Sequence, residues 1–211
     1  AVRKILQKRV NVIGSGRTDA GVHAKAQVAN FKTDSNIDVE KLSKALNAVL
    51  PDDIAVIKAE EVGHDFHSRF SAKSKLYRYT ILNRSSRPAI LRDAVYLFSY
   101  PLNLKLMRKE AKVLLGRHNF KSFQAADKRE GNSVKVIKKI HIRRSGDFIY
   151  FDIEADGFLY NMARNIAGTL LEIGRGKLPE GSLRRIMLTK NRRFSGPTVP
   201  ARGPCLLEVK Y

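Results

Sequence analysis

The sequence predicts an α+β fold made of two halves, each of the split βαβ, ferredoxin-like kind. Three observations lead there. From Leu76 onward the apolar periodicity runs strand, helix, strand, strand, helix, strand; from Ala1 to Val62 it runs helix, strand, strand, helix, strand, the same order with its opening strand missing. The 211 residues are also enough for two closely packed halves of about 100 residues each. The division falls at 1–71 and 72–211.

In the first half, Val2, Ile5 and Leu6 repeat at helical spacing up to Arg9, as the last turns of a helix. Val10–Ile13 is β-branched and predicts a strand, which Gly14, Ser15 and Gly16 end before the polar loop Arg17–Gly21. A second strand is predicted from His23 to Lys32. Asn36 or Asp38 can cap a helix whose apolar face is Val39, Leu42, Leu46, Val49 and Leu50, and which Pro51 stops. Ile54–Val62 reads as a further strand.

In the second half, Leu76–Leu82 and Val95–Tyr100 read as strands, and Leu104–Leu115 as an amphipathic helix ended by Gly116. A polar and aromatic loop follows. Val134–Arg144 and Phe148–Ala155 form a hairpin about Ser145-Gly146-Asp147, and Phe158–Ile173 has helical periodicity closed by Gly174. Leu183–Leu188 is a shorter helix, Ser195–Pro204 a loop with Pro and Gly, and Leu206–Tyr211 the last strand. Matching the halves places Arg17–Gly21 at the turn between two middle strands. An ordinary hairpin turn favours Asn-Gly or Gly-Gly; a turn carrying Arg, Thr and Asp invites a chemical explanation.

Composition narrows the partner. Forty Lys and Arg against 20 Asp and Glu leave a net charge of +20, so a polyanion, nucleic acid above all, is the expected partner. Charge does not separate an enzyme from a binder. A single cysteine, Cys205, rules out an internal disulfide and a cysteine metal cluster, and fits a reducing cytoplasm. His64, His67, His118 and His141 lack metal-ligand spacing, so no metal is expected. No apolar run approaches the ~20 residues that cross a bilayer, and no membrane association is expected.

The segment Gly14-Ser15-Gly16-Arg17-Thr18-Asp19-Ala20-Gly21-Val22-His23 superficially suggests a nucleotide loop. Asp19 stands where the third glycine of G-x-G-x-x-G belongs, a strand follows rather than a helix, and no G-K-[ST] is present, which excludes both dinucleotide and P-loop readings. What remains is a carboxylate on a Gly-flanked loop, two residues from Arg17. That suits a nucleophile or base. Local physics alone, however, reads Asp19 as an ordinary turn or capping aspartate.

This decapeptide resembles the G-R-T-D-A-G-V-H signature of the tRNA pseudouridine synthase A family. Three more blocks follow in that family's order: Phe66-His67-Ser68-Arg69-Phe70-Ser71-Ala72, Lys75-Leu76-Tyr77-Arg78-Tyr79, and Phe158 to Gly168. Asn119–Phe123 and Gly203–Tyr211 also resemble family segments, so the likeness spans nearly the whole chain. It implies a continuous, mostly antiparallel sheet with helices on one side and a central basic cleft. It implies a homodimer that needs no cofactor and isomerises uridine in the tRNA anticodon stem-loop.

By the same resemblance, Asp19 initiates cleavage of the glycosidic bond, either by attack on C1′ or by removing the C2′ proton to pass through a glycal. Arg164 pairs with that aspartate and Tyr77 stacks on the target base. Tyr77 and Tyr79 share one strand face, so one can be core and the other catalytic; the resemblance favours Tyr77. Substrate contacts are implied for Arg17, Thr18, His23, Arg69, Arg78, Asn165 and Leu206. The spread basic residues, Arg192 and Arg193 among them, read mostly as solvated faces, with a subset lining a groove for the RNA backbone. Family members open with a strand and a Trp-bearing loop that do not occur in these 211 residues; either that amino terminus lies outside them or the protein is a variant, and if the strand is truly absent one half has an unpaired sheet edge. A silent RNA-binding scaffold would retain the charge without needing Asp19, Tyr77 and Arg164 together, and a ribosomal protein would not need the ordered blocks.

Overall fold

The computed structural model describes residues 1–126 and 131–211. They form two compact units, one of Ala1–Gly16 with Val28–Ser71, the other of Arg17–Gln27 with Ala72–Tyr211. The protein is a mixed α+β chain, mostly antiparallel. Among the described residues the strands form two hydrogen-bonded sheets, of two and seven strands, rather than the single continuous sheet expected.

Helix α1 (Val2–Leu6) lies where predicted. Strands β1 (Ile13–Gly14), β2 (His23–Ala24) and β3 (Ala29–Asn30) are far shorter than the two runs predicted there. The predicted strand from His23 to Lys32 is in fact interrupted: β3 pairs antiparallel with β1 in the first unit, whereas β2 pairs parallel with a strand of the second. Helix α2 (Val39–Asn47) starts at Asp38, whose carboxylate accepts from the Glu40 and Lys41 amides, satisfying donors that the first turn leaves orphaned. The helix ends before Pro51. No strand forms at Ile54–Val62, a correction to the sequence reading. Asn47 takes both hydrogen bonds of the Val56 backbone, standing in for a neighbouring strand.

In the second unit, β4 (Ser74–Leu82), β5 (Tyr96–Leu97), α3 (Leu104–Ala111), β6 (Gly116–Asn119), β7 (Val134–Ser145), β8 (Phe148–Ala155), α4 (Met162–Gly174), α5 (Ser182–Thr189) and β9 (Pro204–Lys210) follow in order. The polar loop expected after Gly116 contains β6 and a 3-10 turn at Lys121–Phe123; its residues 127–130 lie outside the described residues. In space the strands run β2-β9-β4-β8-β7-β6, with β5 also on β4. The β2–β9 and β4–β5 pairs are parallel and the rest antiparallel.

Period-two alternation selects one sheet face for burial. Tyr79 and Ile81 of β4 and Ile149, Phe151 and Ile153 of β8 join Met107 of α3, Ile166 and Leu170 of α4, and Leu183 of α5 in one core. In β7 a register shift between Ile137 and Lys139 keeps Ile137 and Ile142 both in that core, although strict alternation would put residues with one odd and one even number on opposite faces. The other face carries polar pairs: Arg78 forms a two-pronged ion pair with Asp152, at 2.7 and 2.8 Å.

Candidate active site around Asp19

The loop that carries Asp19 belongs to the second unit, along with Tyr77, Arg164 and Leu206. Its bend is a turn from Asp19 to Val22, closed by a Val22 amide to Asp19 carbonyl bond of 3.0 Å. Gly21 sits in that turn at φ +82°, where a side chain would be strained. The chain then enters β2, which is held to β9 at His23–Cys205 and Ala24–Leu206. The carboxylate is thus fixed at the edge of the large sheet.

Arg164, in the first turn of α4, donates from Nη1 to Asp19 Oδ2 at 3.1 Å. The same nitrogen donates to Asn161 Oδ1 at 2.8 Å, and Nε donates to the Val199 carbonyl at 2.8 Å. Asn161 is the residue before the helix, in the left-handed region at φ 58°. An asparagine there normally caps the helix by accepting from its own amides, but this one makes no such bond and gives its oxygen to Arg164. A local stabilising contact has been exchanged for a site contact. The Asp19 and Arg164 side chains are 34% and 18% exposed, so the pair is reachable from solvent and its main effect is to orient rather than to stabilise.

Tyr77 lies directly opposite Leu206 across the β4–β9 pair, where a register shift beside Tyr77 accommodates the extra residue Leu207. Its ring meets Phe158 edge-on, at 5.0 Å between centroids. Burial, and then the nearby Asp19 charge, push the Tyr77 hydroxyl up to about 12, so the phenol is neutral near pH 7. It can offer an aromatic surface and a hydrogen-bond donor, but not a base. Tyr79, on the same strand face, is only 2% exposed and donates to the Pro200 carbonyl at 2.8 Å. It is core, and it fastens the loop after α5.

The other residues singled out in the sequence are divided between the Asp19 loop and more distant positions. Arg17 and Thr18 are exposed on the Asp19 loop. The His23 ring Nε2 is hydrogen-bonded to the Asp93 carbonyl at 2.6 Å. Arg78 points to the opposite sheet face from Tyr77 and is engaged by Asp152. Asn165 is completely buried, donating to the Phe123 carbonyl and accepting from Thr198 and Arg192, so three of the four hydrogen bonds its amide can make go to the protein itself. Arg69, beside the exposed Phe70, belongs to the first unit.

Sequence reasoning missed Asn161, Phe158 and Val199 as site residues. Asn161 and Phe158 fall inside the last of the four blocks, which was the signal that could have found them. Val199 contributes only its carbonyl, and no side-chain pattern announces that. Arg192, read as a solvated basic residue, is instead enclosed by five hydrogen-bond contacts.

A family model described as tRNA pseudouridine synthase matches residues 1–71 and 111–211. The chain belongs to the tRNA pseudouridine synthase family. That family's enzymes are isomerases that convert uridine to pseudouridine. Its curated members include the tRNA pseudouridine synthase A of Thermoanaerobacter sp. (strain X514), 45% identical over 211 residues, covering 100% of this chain and 86% of the relative. The tRNA pseudouridine synthase A 2 of Clostridium perfringens (strain 13 / Type A) is 46% identical, and the tRNA pseudouridine synthase A of Acetivibrio thermocellus 42%, with the same coverage. Tyr77 falls between the two stretches matched by the family model, but inside the span matched by these pseudouridine synthases.

Proposed function

We propose that this chain converts uridine to pseudouridine in the anticodon stem-loop of tRNA, with Asp19 as the reacting carboxylate, Arg164 orienting it and Tyr77 stacking on the extruded base. The observation that carries the reading is the Arg164–Asp19 contact of 3.1 Å, made by residues 145 positions apart, with the strand that follows the Asp19 loop and Tyr77 both paired to Leu206. Arg164 engages one carboxylate oxygen, Oδ2, and does not occupy Oδ1. The anion works beside the ribose, by attack on C1′ or by taking the C2′ proton. In either case the N1–C1′ bond breaks, the uracil turns over, and C5 bonds to C1′. The C5 hydrogen leaves as a proton and N1 gains one, so product and substrate are isomers.

Tyr77 and Phe158, backed by the buried Leu206, supply an apolar and aromatic wall for a base out of its stack, which offsets part of the unstacking cost, typically about 1–3 kcal/mol per base. Arg17 and Thr18 meet the nucleotide or its phosphate, a role that their exposure on the same loop supports. His23, Arg69, Arg78, Asn165 and Leu206 complete the implied substrate set, although the contacts of Arg78 and Asn165 point to supporting roles. The ferredoxin-like halves 1–71 and 72–211 and the central basic cleft belong to the same proposal. The spatial order β9-β4-β8-β7, all antiparallel, supports it for the second half. Homodimer assembly, a cytoplasmic setting and cofactor independence follow the family likeness. Among the described residues no helix is long and apolar enough to cross a membrane.

The test uses unmodified tRNA tritiated at uracil C5. Tritium release by the native chain, falling at least about 1,000-fold in Asp19→Asn with tRNA affinity retained, is the expected result. Tight binding without release by the native chain would establish a silent RNA-binding scaffold instead.

A further inference from the structure

Between α5 and β9 the chain makes a short 3-10 turn, Arg192–Phe194, and the loop that leads to Pro204. The Arg192 guanidinium is folded back under that loop. Nη1 donates to the Ser195 hydroxyl at 2.7 Å and the Gly196 carbonyl at 2.9 Å, with a longer contact to the Ser195 carbonyl at 3.3 Å. Nη2 donates to Thr198 Oγ1 at 2.9 Å and to Asn165 Oδ1 at 3.0 Å. All of these acceptors are neutral. Burial lowers the Arg192 pKa from its ordinary value, so a cation is being held among carbonyl and hydroxyl dipoles at a desolvation cost.

Several further contacts make this arrangement rigid. The Thr198 hydroxyl passes its own hydrogen to Asn165 Oδ1 at 2.6 Å, and Asn165 Nδ2 donates to the Phe123 carbonyl at 2.7 Å. The Gly196 amide donates to Thr169 Oγ1 at 2.9 Å. A Cβ on Gly168 would lie 1.9 Å from the Pro197 carbonyl oxygen, so the loop rests directly on the α4 backbone. Arg192 therefore binds the loop to α4 at Asn165, adjacent to Arg164. It also grips Thr198, adjacent to Val199, whose carbonyl receives Arg164 Nε.

We infer that Arg192 is a positioning residue for the reaction: its fork fixes the loop from Ser195 to Val199 against α4, so that the Val199 carbonyl and helix position together aim the Arg164 guanidinium at Asp19. The inference rests on the proposed reading of Asp19 as the reacting carboxylate. Only a planar, multi-donor group can reach Asn165, Thr198, Ser195 and Gly196 at once; a lysine would keep the charge and lose the fork.

The experiment is steady-state kinetics on tRNA with Arg192→Lys and Thr198→Val, alongside Asp19→Asn, thermal melting and tRNA binding. Misplacing reacting groups by a fraction of an ångström lowers turnover, so kcat is expected to fall about 10–100-fold in Arg192→Lys, with KM and tRNA Kd within about threefold of native. Thr198→Val leaves the guanidinium in place but removes the bridging hydroxyl; a fall of about 3–10-fold in kcat is expected, and this variant decides the matter if the lysine variant does not fold. In Arg192→Ala, millimolar ethylguanidinium should restore part of kcat, an effect that general loosening of the loop would not produce. Unchanged kcat in Arg192→Lys and Thr198→Val overturns the inference, as does kcat loss matched by an equal loss of tRNA affinity, which would make Arg192 an RNA contact. If Asp19→Asn keeps its activity, the underlying reading fails; if only Asp19→Asn is impaired, the positioning role alone fails.

Discussion

The two units bury their apolar residues very differently. Of the buried hydrophobic residues described, Leu46 is the only one in the first unit, while the second holds a continuous core from Tyr79 to Val199. In the first, Ile54 and Ile57 are 54% and 85% exposed in a segment whose apolar residues promise a strand. In the second, equally β-rich segments pair over their full length: β4 and β8 match residue for residue from Lys75–Ala155 to Leu82–Phe148. Side-chain pattern proposes a strand, but backbone pairing and a covered face make one. The candidate site draws on the densely packed unit. Holding a carboxylate and a guanidinium in fixed alignment needs supports that do not move.

The contrast can be tested by perturbing each unit. The largest effect on activity should come from Gly168→Ala, because its new Cβ would meet a backbone carbonyl at 1.9 Å and cannot be accommodated by a side-chain rotation. A loss of about 3 kcal/mol, read by denaturant melting, is expected together with loss of pseudouridine formation; a near-native melt would show that the loop does not rest on α4. Next, Phe151→Ala in the second core should cost about 3–5 kcal/mol and Leu46→Ala in the first about 2 kcal/mol. Equal losses would erase the difference between the units.

The smallest effect is acidic. Glu154 is nearly buried, and the Ser74 hydroxyl, followed by Lys210 and Lys139 acting against desolvation, holds its carboxyl below the ordinary carboxylate value. A carboxylate with a depressed folded-state pKa stabilises the fold above its unfolded value, and that contribution disappears as pH falls through the folded value. The melting-temperature gap between native chain and Glu154→Gln should therefore narrow as pH drops from about 6 to about 3. A gap independent of pH would mean that Glu154 contributes through packing rather than charge.

Much of this was readable from residue order. Asp38 was a candidate cap and is the cap; the amphipathic face from Val39 to Leu46 forms its helix; the β7–β8 hairpin turns at the residues expected. Where the reading failed, long-range pairing was the reason. The run from His23 to Lys32 looks uniform, but its two ends find partners in different sheets. The helix predicted from Phe158 begins only at Met162, because Asn161 adopts the left-handed conformation that lets its oxygen serve Arg164. Arg192 reads as a solvated residue in the sequence but is half-buried, with its guanidinium bonded to Asn165 and Thr198.

Sequence by itself determined which chemistry the chain carries: an aspartate in a glycine-flanked loop, ordered blocks containing Tyr77 and Arg164, and the charge to meet a polyanion. These are properties of residue type and order, which do not depend on folding. Tertiary structure alone decided that Tyr79 is buried and bonded to a loop carbonyl, which oxygen of Asp19 the arginine takes, and that an asparagine and a loop carbonyl aim that arginine. Such contacts join residues up to 145 positions apart, and their distances are set by how β4, β9 and α4 pack, which no local propensity encodes.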